Sequence, residues 1–216
     1  MKRCFIFGAG SFYGLRERPA ADDFVVAADA GYRCCRRAGI RPDLLVGDFD
    51  SMAQPEDFAD VLRVPVEKDD TDTVLAARQG LERGCDTFYI YGGTGGARLD
   101  HTLANLQLLL FLRRRGARAY LYDRDFVFTA VERETLTIRR TVPWGVLSVF
   151  CADGPVEGLS LRGVQYPLEA APLRADFPLG VSNHILEEQA EVSVQKGALF
   201  VGWQLPEEAD AVLEKE

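Results

Sequence analysis

Short apolar runs recur along the first part of the chain, each closed by glycine, aspartate or another turn former. Residues 3–7 (RCFIF) run into Gly8-Ala9-Gly10, and comparable runs occupy 24–28, 44–46, 61–66, 87–91 and 118–122. Their β-branched and aromatic content predicts strands. Between them, residues 71–83 carry Val74, Ala77 and Leu81 at helical spacing, and residues 100–115 carry Leu103, Leu106 and Leu110 on a broad apolar face. Basic residues followed by Gly116 mark the end of that second helix. Apolar strands alternating with helices predict an α/β unit with a mostly parallel, Rossmann-like sheet covered on both faces.

The pattern changes near Asp125. Short β-like runs then follow at 126–131, 135–139, 146–151, 158–161, 190–194 and 199–203, separated by Gly, Pro and Asp. This spacing predicts a separate all-β sandwich or barrel. The expected organisation is therefore an α/β domain over residues 1–124 and a β-domain over 125–216.

Composition narrows the function classes. The formal net charge is −8, with 33 acidic against 25 basic residues, which argues against a nucleic-acid partner. No run approaches the roughly 20 apolar residues that cross a bilayer, and the first apolar stretch is too short and glycine-broken for a signal peptide. A soluble, cytoplasmic protein with no membrane partner is expected. The five cysteines fit neither a disulfide framework nor a zinc site, so free thiols in a reducing compartment are expected.

Four stretches carry candidate chemistry. In "LLVGDFDSM", Asp48 and Asp50 stand two apart at the end of a strand and point the same way if the segment is extended. Two such carboxylates repel unless a cation or hydrogen-bond donors compensate, so they form either a site for a hard divalent ion or a local turn. In "EKDDTDTVLAA", Asp69, Asp70 and Asp72 open a helix. They serve either as caps and dipole partners or, through Asp72, as another carboxylate on the same sheet edge, with Lys68 available to a phosphate. In "YGGTGGARLDHTLANLQLL", four glycines in five positions precede Arg98 and a long helix with Asp100 near its start. That order suits an anion cradled by backbone N–H groups, without being a Walker A sequence; the alternative is a strand-to-helix turn with Asp100 as N-cap. "FGAGSFYG" is a weak match to the dinucleotide fingerprint, and "VSNHI" (181–185) offers Ser182 and Asn183 either to a polar heterocycle or to a turn.

Taken together, "ADAG" (28–31), "RPDLLVGDFDS" (41–51), "EKDDTD" (67–72), "GGTGGARLDHTLANL" (92–106), "GVQYPL" (163–168) and "VSNHI" resemble the thiamine pyrophosphokinase family in order and content. The resemblance covers most of the chain. It implies transfer of a diphosphate from ATP to the hydroxyl of thiamine, with release of AMP and a requirement for Mg²⁺. It also implies a homodimer whose active site is shared between subunits, each with a nucleotide-binding catalytic domain and a thiamine-binding β-sandwich. Position by position, Asp48, Asp50 and Asp72 match the acidic metal site, and Asp100 matches the acidic position after the Gly-rich loop. Lys68, Thr94, Gly95, Gly96, Arg98 and His101 fall in the ATP phosphate region, and Ser182 and Asn183 in the thiamine-facing segment. The proton acceptor is Asp72 or Asp100. One departure is Ala30 in "ADAG", where the family usually shows glycine, which puts a close backbone approach there in question. Tyr166 and Trp203 are both candidates for a ring stacked on thiamine, with core packing the plainer role for each. Two competing readings remain: a diphosphokinase acting on another alcohol such as a pterin carbinol, and a nucleotide-binding regulator without turnover.

Overall fold

The computed structural model describes residues 1–47, 61–63 and 70–207. The chain divides into two compact units, one of Met1–Leu108 with Arg115–Arg124, the other of Leu109–Arg114 with Asp125–Glu216.

The first unit holds β1 (Arg3–Phe7), β2 (Phe24–Ala28), α1 (Gly31–Arg37), β3 (Leu44–Gly47), β4 (Val61–Arg63), α2 (Asp72–Glu82), β5 (Thr87–Tyr91) and β6 (Arg118–Tyr122), with α3 (Leu99–Arg113) leading out of it. Its strands run parallel in the order β6-β5-β1-β2-β3-β4. Cys4 to Phe7 of β1 and all of β2 are buried, so these strands read as continuous apolar runs rather than alternating ones. On one face Phe5 stacks on Tyr89 with ring centroids 4.7 Å apart, and Tyr91 stacks on Tyr122 at 4.8 Å. Cys34 and Cys35 of α1 pack into the same cluster.

Helix α2 departs from its predicted face. Thr73, Ala76, Ala77 and Gly80 are buried, whereas Val74 and Leu81 are only partly so. The helix lies too close to the sheet for large side chains: a Cβ built on Gly80 would sit 2.5 Å from Cε1 of Phe88 and 2.9 Å from Sγ of Cys4. In α3, Leu103 is 56% exposed, contrary to expectation, while Leu108, Leu109, Leu110 and Leu112 are buried. Apolar residues surround this helix, so periodicity alone could not select the covered side. The glycine stop holds, with Gly116 at φ +80°. The short α1 escaped prediction, although Arg36-Arg37-Ala38-Gly39 carries the same stop signal, with Gly39 at φ +65°.

The second unit contains β7 (Phe126–Glu132), β8 (Thr135–Arg139), β9 (Val146–Cys151), β10 (Val156–Arg162), β11 (Leu168–Leu173), β12 (Asn183–His184), β13 (Gln189–Ser193) and β14 (Ala198–Gln204). They form two antiparallel arrays, β12-β9-β14-β7 and β11-β10-β13-β8. Val131, Leu147, Val149, Leu199 and Val201 of the first array share one core with Ile138, Leu159, Leu161, Leu173 and Val192 of the second, which makes the unit a sandwich. The two strands absent from the prediction, β11 and β12, are both outermost in these arrays. β11 contains Pro172, which an edge position tolerates, and β12 is only two residues long.

All five cysteines are free thiols, four of them buried. Among the described residues, no helix is long and apolar enough to cross a membrane.

Gly80→Ala gains helix propensity, about 1 kcal/mol, but drives a methyl group into Phe88. Overpacking outweighs that gain, and urea unfolding is expected to show a net loss of about 1–2 kcal/mol.

Candidate active site

The strand order reverses between β1 and β5, the kind of place where parallel sheets bind ligands beyond their carboxyl ends. The loops leaving these two strands are joined backbone to backbone. The N–H groups of Gly8, Gly10 and Ser11 donate to the carbonyls of Tyr91, Gly92 and Thr94 at 2.8, 2.7 and 2.9 Å. At this separation there is no room for a side chain at the facing glycines: a Cβ on Gly8 would lie 2.6 Å from the Gly92 oxygen, and one on Gly10 2.5 Å from the Thr94 oxygen. Gly8 and Gly10 of "FGAGSFYG" are therefore needed for loop-to-loop approach, and their N–H groups are committed to protein carbonyls.

The second loop is anchored from two sides. Asn105, buried in α3, donates Nδ2–H to the Gly93 carbonyl at 2.7 Å. Thr94, also buried, donates its hydroxyl to Oδ1 of Asp123 at 2.6 Å. The Thr94 proton thus goes to a carboxylate, which makes this residue a brace for the loop. Beyond it, Gly95 and Gly96 adopt φ +67° and +73°, a left-handed course that favours glycine. These loops enclose a cavity of about 160 Å³ whose lining includes Gly10, Thr73, Gly96, Arg98, His101 and Asn105.

Arg98 and Asp100 form a two-pronged ion pair, Nε to Oδ1 at 2.9 Å and Nη2 to Oδ2 at 2.6 Å, with side chains 67% and 63% exposed. The hydrogen bonds from Arg98 bring the Asp100 carboxyl down to about 2. Asp100 is not the N-cap, since α3 already begins at Leu99. At α2 the cap is Thr71, whose Oγ1 accepts the N–H of Val74 at 3.3 Å. Asp72 follows in the first turn, partly buried, and Asp70 pairs with Arg78 at 2.9 Å. Asp48, Asp50 and Lys68 lie outside the described residues.

The "ADAG" stretch resolves differently from its expectation. Ala30 has ordinary helical angles, φ −60° and ψ −7°, and needs no glycine. The close approach is carried by Gly31, where a Cβ would sit 1.9 Å from the Phe7 oxygen. Asp29, not among the sequence candidates, takes φ +47° at the end of β2 and places its Cα beside Gly47. Asn105 and Asp123 were also missed. The one available signal was a polar Asn105 inside the apolar run "LANLQLLL".

In the second unit Asn183 is buried and turned to the backbone. Its Oδ1 accepts from the N–H of Tyr166 at 3.0 Å and of His184 at 2.9 Å, and its Nδ2 donates to the Tyr166 carbonyl at 2.8 Å. Asn183 thus clamps the turn that presents Tyr166, whose side chain is 63% exposed. Trp203 instead packs against the sandwich core. Ser182 takes φ +60° and its N–H bonds Oγ of Ser148 at 3.1 Å.

Two outcomes are expected from this geometry. Arg98→Ala should return the Asp100 carboxyl from about 2 toward its ordinary 3.8, visible as an NMR pH titration of that carboxyl. Asn105→Ala leaves the buried Gly93 carbonyl without its donor and should lower stability by about 1–3 kcal/mol in denaturant unfolding.

Known proteins show the same two-part organisation. Residues 16–121 match the thiamin pyrophosphokinase catalytic domain, and residues 134–199 match the thiamin pyrophosphokinase vitamin B1 binding domain. The thiamine pyrophosphokinase of Bacillus subtilis (strain 168) is 30% identical over 182 residues, covering 82% of this chain and 85% of its own. A crystal structure of thiamine pyrophosphokinase from Bacillus subtilis has a TM-score of 0.85 at 25% identity, covering 95% of this chain and 100% of that one. A crystal structure of thiamin pyrophosphokinase from Geobacillus thermodenitrificans gives 0.82 at 28% identity, with 94% and 98% covered. With two successive domain matches and a relative 30% identical across 82% of this chain, the chain belongs to the thiamine pyrophosphokinase family.

Proposed function

We propose that the protein is a cytoplasmic thiamine diphosphokinase that moves a diphosphate from ATP to the hydroxyl of thiamine and releases AMP. The observation that carries this reading is the cavity at the β1/β5 reversal, rimmed by Gly96, Arg98 and His101, in a chain of this family. The reversal also supports reading residues 1–124 as a Rossmann-like nucleotide-binding catalytic domain, with 125–216 as the thiamine-binding sandwich. At about 160 Å³ the cavity is small against the ~300–1,000 Å³ of typical ligand pockets, which suits the phosphate end of a nucleotide.

In this reading Arg98 is the mobile charge. Exposed and, among the described residues, bound at its own helix start to Asp100, it can turn from that carboxylate to a phosphate as ATP arrives, with Gly95 and Gly96 admitting the phosphate close to the backbone. His101 and Lys68 add donors to the same anion. Asp100 has little proton affinity while Arg98 holds it, so it can take the thiamine hydroxyl proton only after that turn; Asp72 is the alternative acceptor. Ser182 contacts thiamine, Asn183 fixes the turn beneath it, and Tyr166 supplies the stacking ring.

Mg²⁺ would be held by Asp48, Asp50 and Asp72. Of these Asp72 is described, and this partly buried residue in the first turn of α2, at the carboxyl edge of the sheet, offers the oxygen ligands that suit a hard cation. Among the described residues no three potential ligands converge on one point. When bound, the ion would neutralise phosphate charge and polarise the phosphorus under attack. We further propose a homodimer with its active site shared between subunits. The exposed apolar side chains Phe177, Leu179 and Val181 of the second unit support such an interface.

AMP release should require thiamine, ATP and Mg²⁺ together; release only with a pterin carbinol, or none despite ligand binding, would refute the reading. Asp50→Asn and Asp72→Asn should each lower turnover at least about a hundredfold with little change in melting temperature. Sedimentation at micromolar concentration should give twice the 24.0 kDa chain mass; a single-chain mass would remove the shared site.

A further inference from the structure

We propose that His184 and Trp144 form a second wall of the thiamine subsite, in which Nε2 of His184 accepts a hydrogen bond from the exocyclic amine of the aminopyrimidine ring. The proposal rests on the reading of the second unit as the thiamine-binding domain and adds two residues to it.

Trp144 is 63% exposed and holds φ +57°, a left-handed backbone that bulky residues rarely adopt. A strained backbone that carries a large ring into water suggests a purpose other than packing. The turn is secured to β12: the N–H of Ile185 donates to the Gly145 carbonyl at 2.9 Å, and Nδ1 of His184 lies 2.8 Å from the Trp144 carbonyl oxygen. A carbonyl only accepts, so Nδ1 carries the hydrogen. The neutral imidazole then has its lone pair on Nε2. The indole meets the imidazole edge-on, with centroids 6.1 Å apart at 67°.

The pairing of β12 with β9 gives the direction. Asn183 stands opposite the fully buried Leu147, and His184 opposite the partly buried Val146. Successive side chains of a strand point to opposite faces, so Asn183 turns inward and His184 turns away from the core. The neighbouring Gln165 N–H donates to the His184 carbonyl at 2.9 Å, which ties the Tyr166 turn to the same spot. Two exposed aromatic rings and one outward acceptor are therefore borne on adjoining backbone beside Ser182. That set suits a flat heterocycle with an amino group. An aminopyrimidine edge occurs in thiamine and also in the adenine of ATP. The position of these residues within the match to the vitamin B1 binding domain, residues 134–199, assigns it to thiamine.

Trp144 and Trp203 are the two tryptophans of the chain, and Trp203 packs against the core, so a change in intrinsic fluorescence on ligand binding reports on the exposed Trp144. Thiamine should quench the wild-type emission saturably, and Trp144→Phe should abolish that quench. His184→Ala should weaken thiamine binding about tenfold, measured by calorimetry, with ATP affinity unchanged. His184→Gln, which can return an acceptor to the Nε2 position, should recover most of it. Oxythiamine, with a carbonyl oxygen in place of the amine, should bind wild type about tenfold more weakly than thiamine, and His184→Ala should no longer discriminate between them. Unchanged thiamine affinity in His184→Ala, in a wild-type protein that does bind and convert thiamine, overturns this inference alone. Weakened ATP binding in its place makes adenine the occupant and overturns the assignment to thiamine. A wild-type protein that neither binds nor converts thiamine overturns both this inference and the function on which it rests.

Discussion

The three backbone hydrogen bonds from Gly8, Gly10 and Ser11 to Tyr91, Gly92 and Thr94 are the constraint on which the candidate site depends. They form where the strand order reverses, and they form only because glycine stands on both sides. A Cβ on Gly92 would fall 2.4 Å from the Gly8 oxygen, just as one on Gly8 would strike Gly92. The result is a rim made of main chain, with Asn105 and Asp123 bracing it from α3 and from the end of β6. Such a rim is ordered before a ligand arrives, so little conformational freedom remains to be lost on binding.

Electrostatics complement that rigidity. Asp29, Asp72, Asp100 and Asp123 all belong to segments at the carboxyl edge of the first unit, in a chain already carrying a net charge of −8. An anionic substrate can approach such an edge only if cations offset it. Arg98 is one, and its pairing with Asp100 keeps both groups charged and near the cavity. A bound divalent ion would be another.

The second unit uses a different device. Among the described residues, the Asn183 side chain bonds to neighbouring main chain, so its effect on a ligand comes through the Tyr166 turn that it holds. Trp144 and Ser182, both with left-handed backbone, flank the same stretch. Local strain concentrated around one exposed patch is what a surface shaped for recognition looks like, since packing offers no compensation there.

Much of this was visible along the chain. The runs at 3–7, 24–28, 87–91 and 118–122 became β1, β2, β5 and β6 with the same bounds, because β1, β2 and β5 are buried parallel strands that announce themselves by near-continuous apolar content, while β6 alternates around buried Ala119 and Leu121. The Gly-rich block and the order of motifs carried the family. What periodicity could not give was direction. Leu103 is exposed although periodicity placed it on the covered face, and Gly80 is buried because α2 packs against Phe88 and Cys4, contacts that lie outside the helix itself. The roles of individual polar groups were hidden for the same reason. The Thr94 hydroxyl goes to Asp123, the Asn105 amide to Gly93 and the Asn183 amide to Tyr166, across 29, 12 and 17 residues. By itself, then, the sequence determined where most of the strands lie, where the Gly-rich loop falls and which family the chain belongs to. Only the tertiary structure decided which glycines are steric necessities and which polar side chains remain for a ligand, because hydrogen-bond partners are chosen by proximity in space.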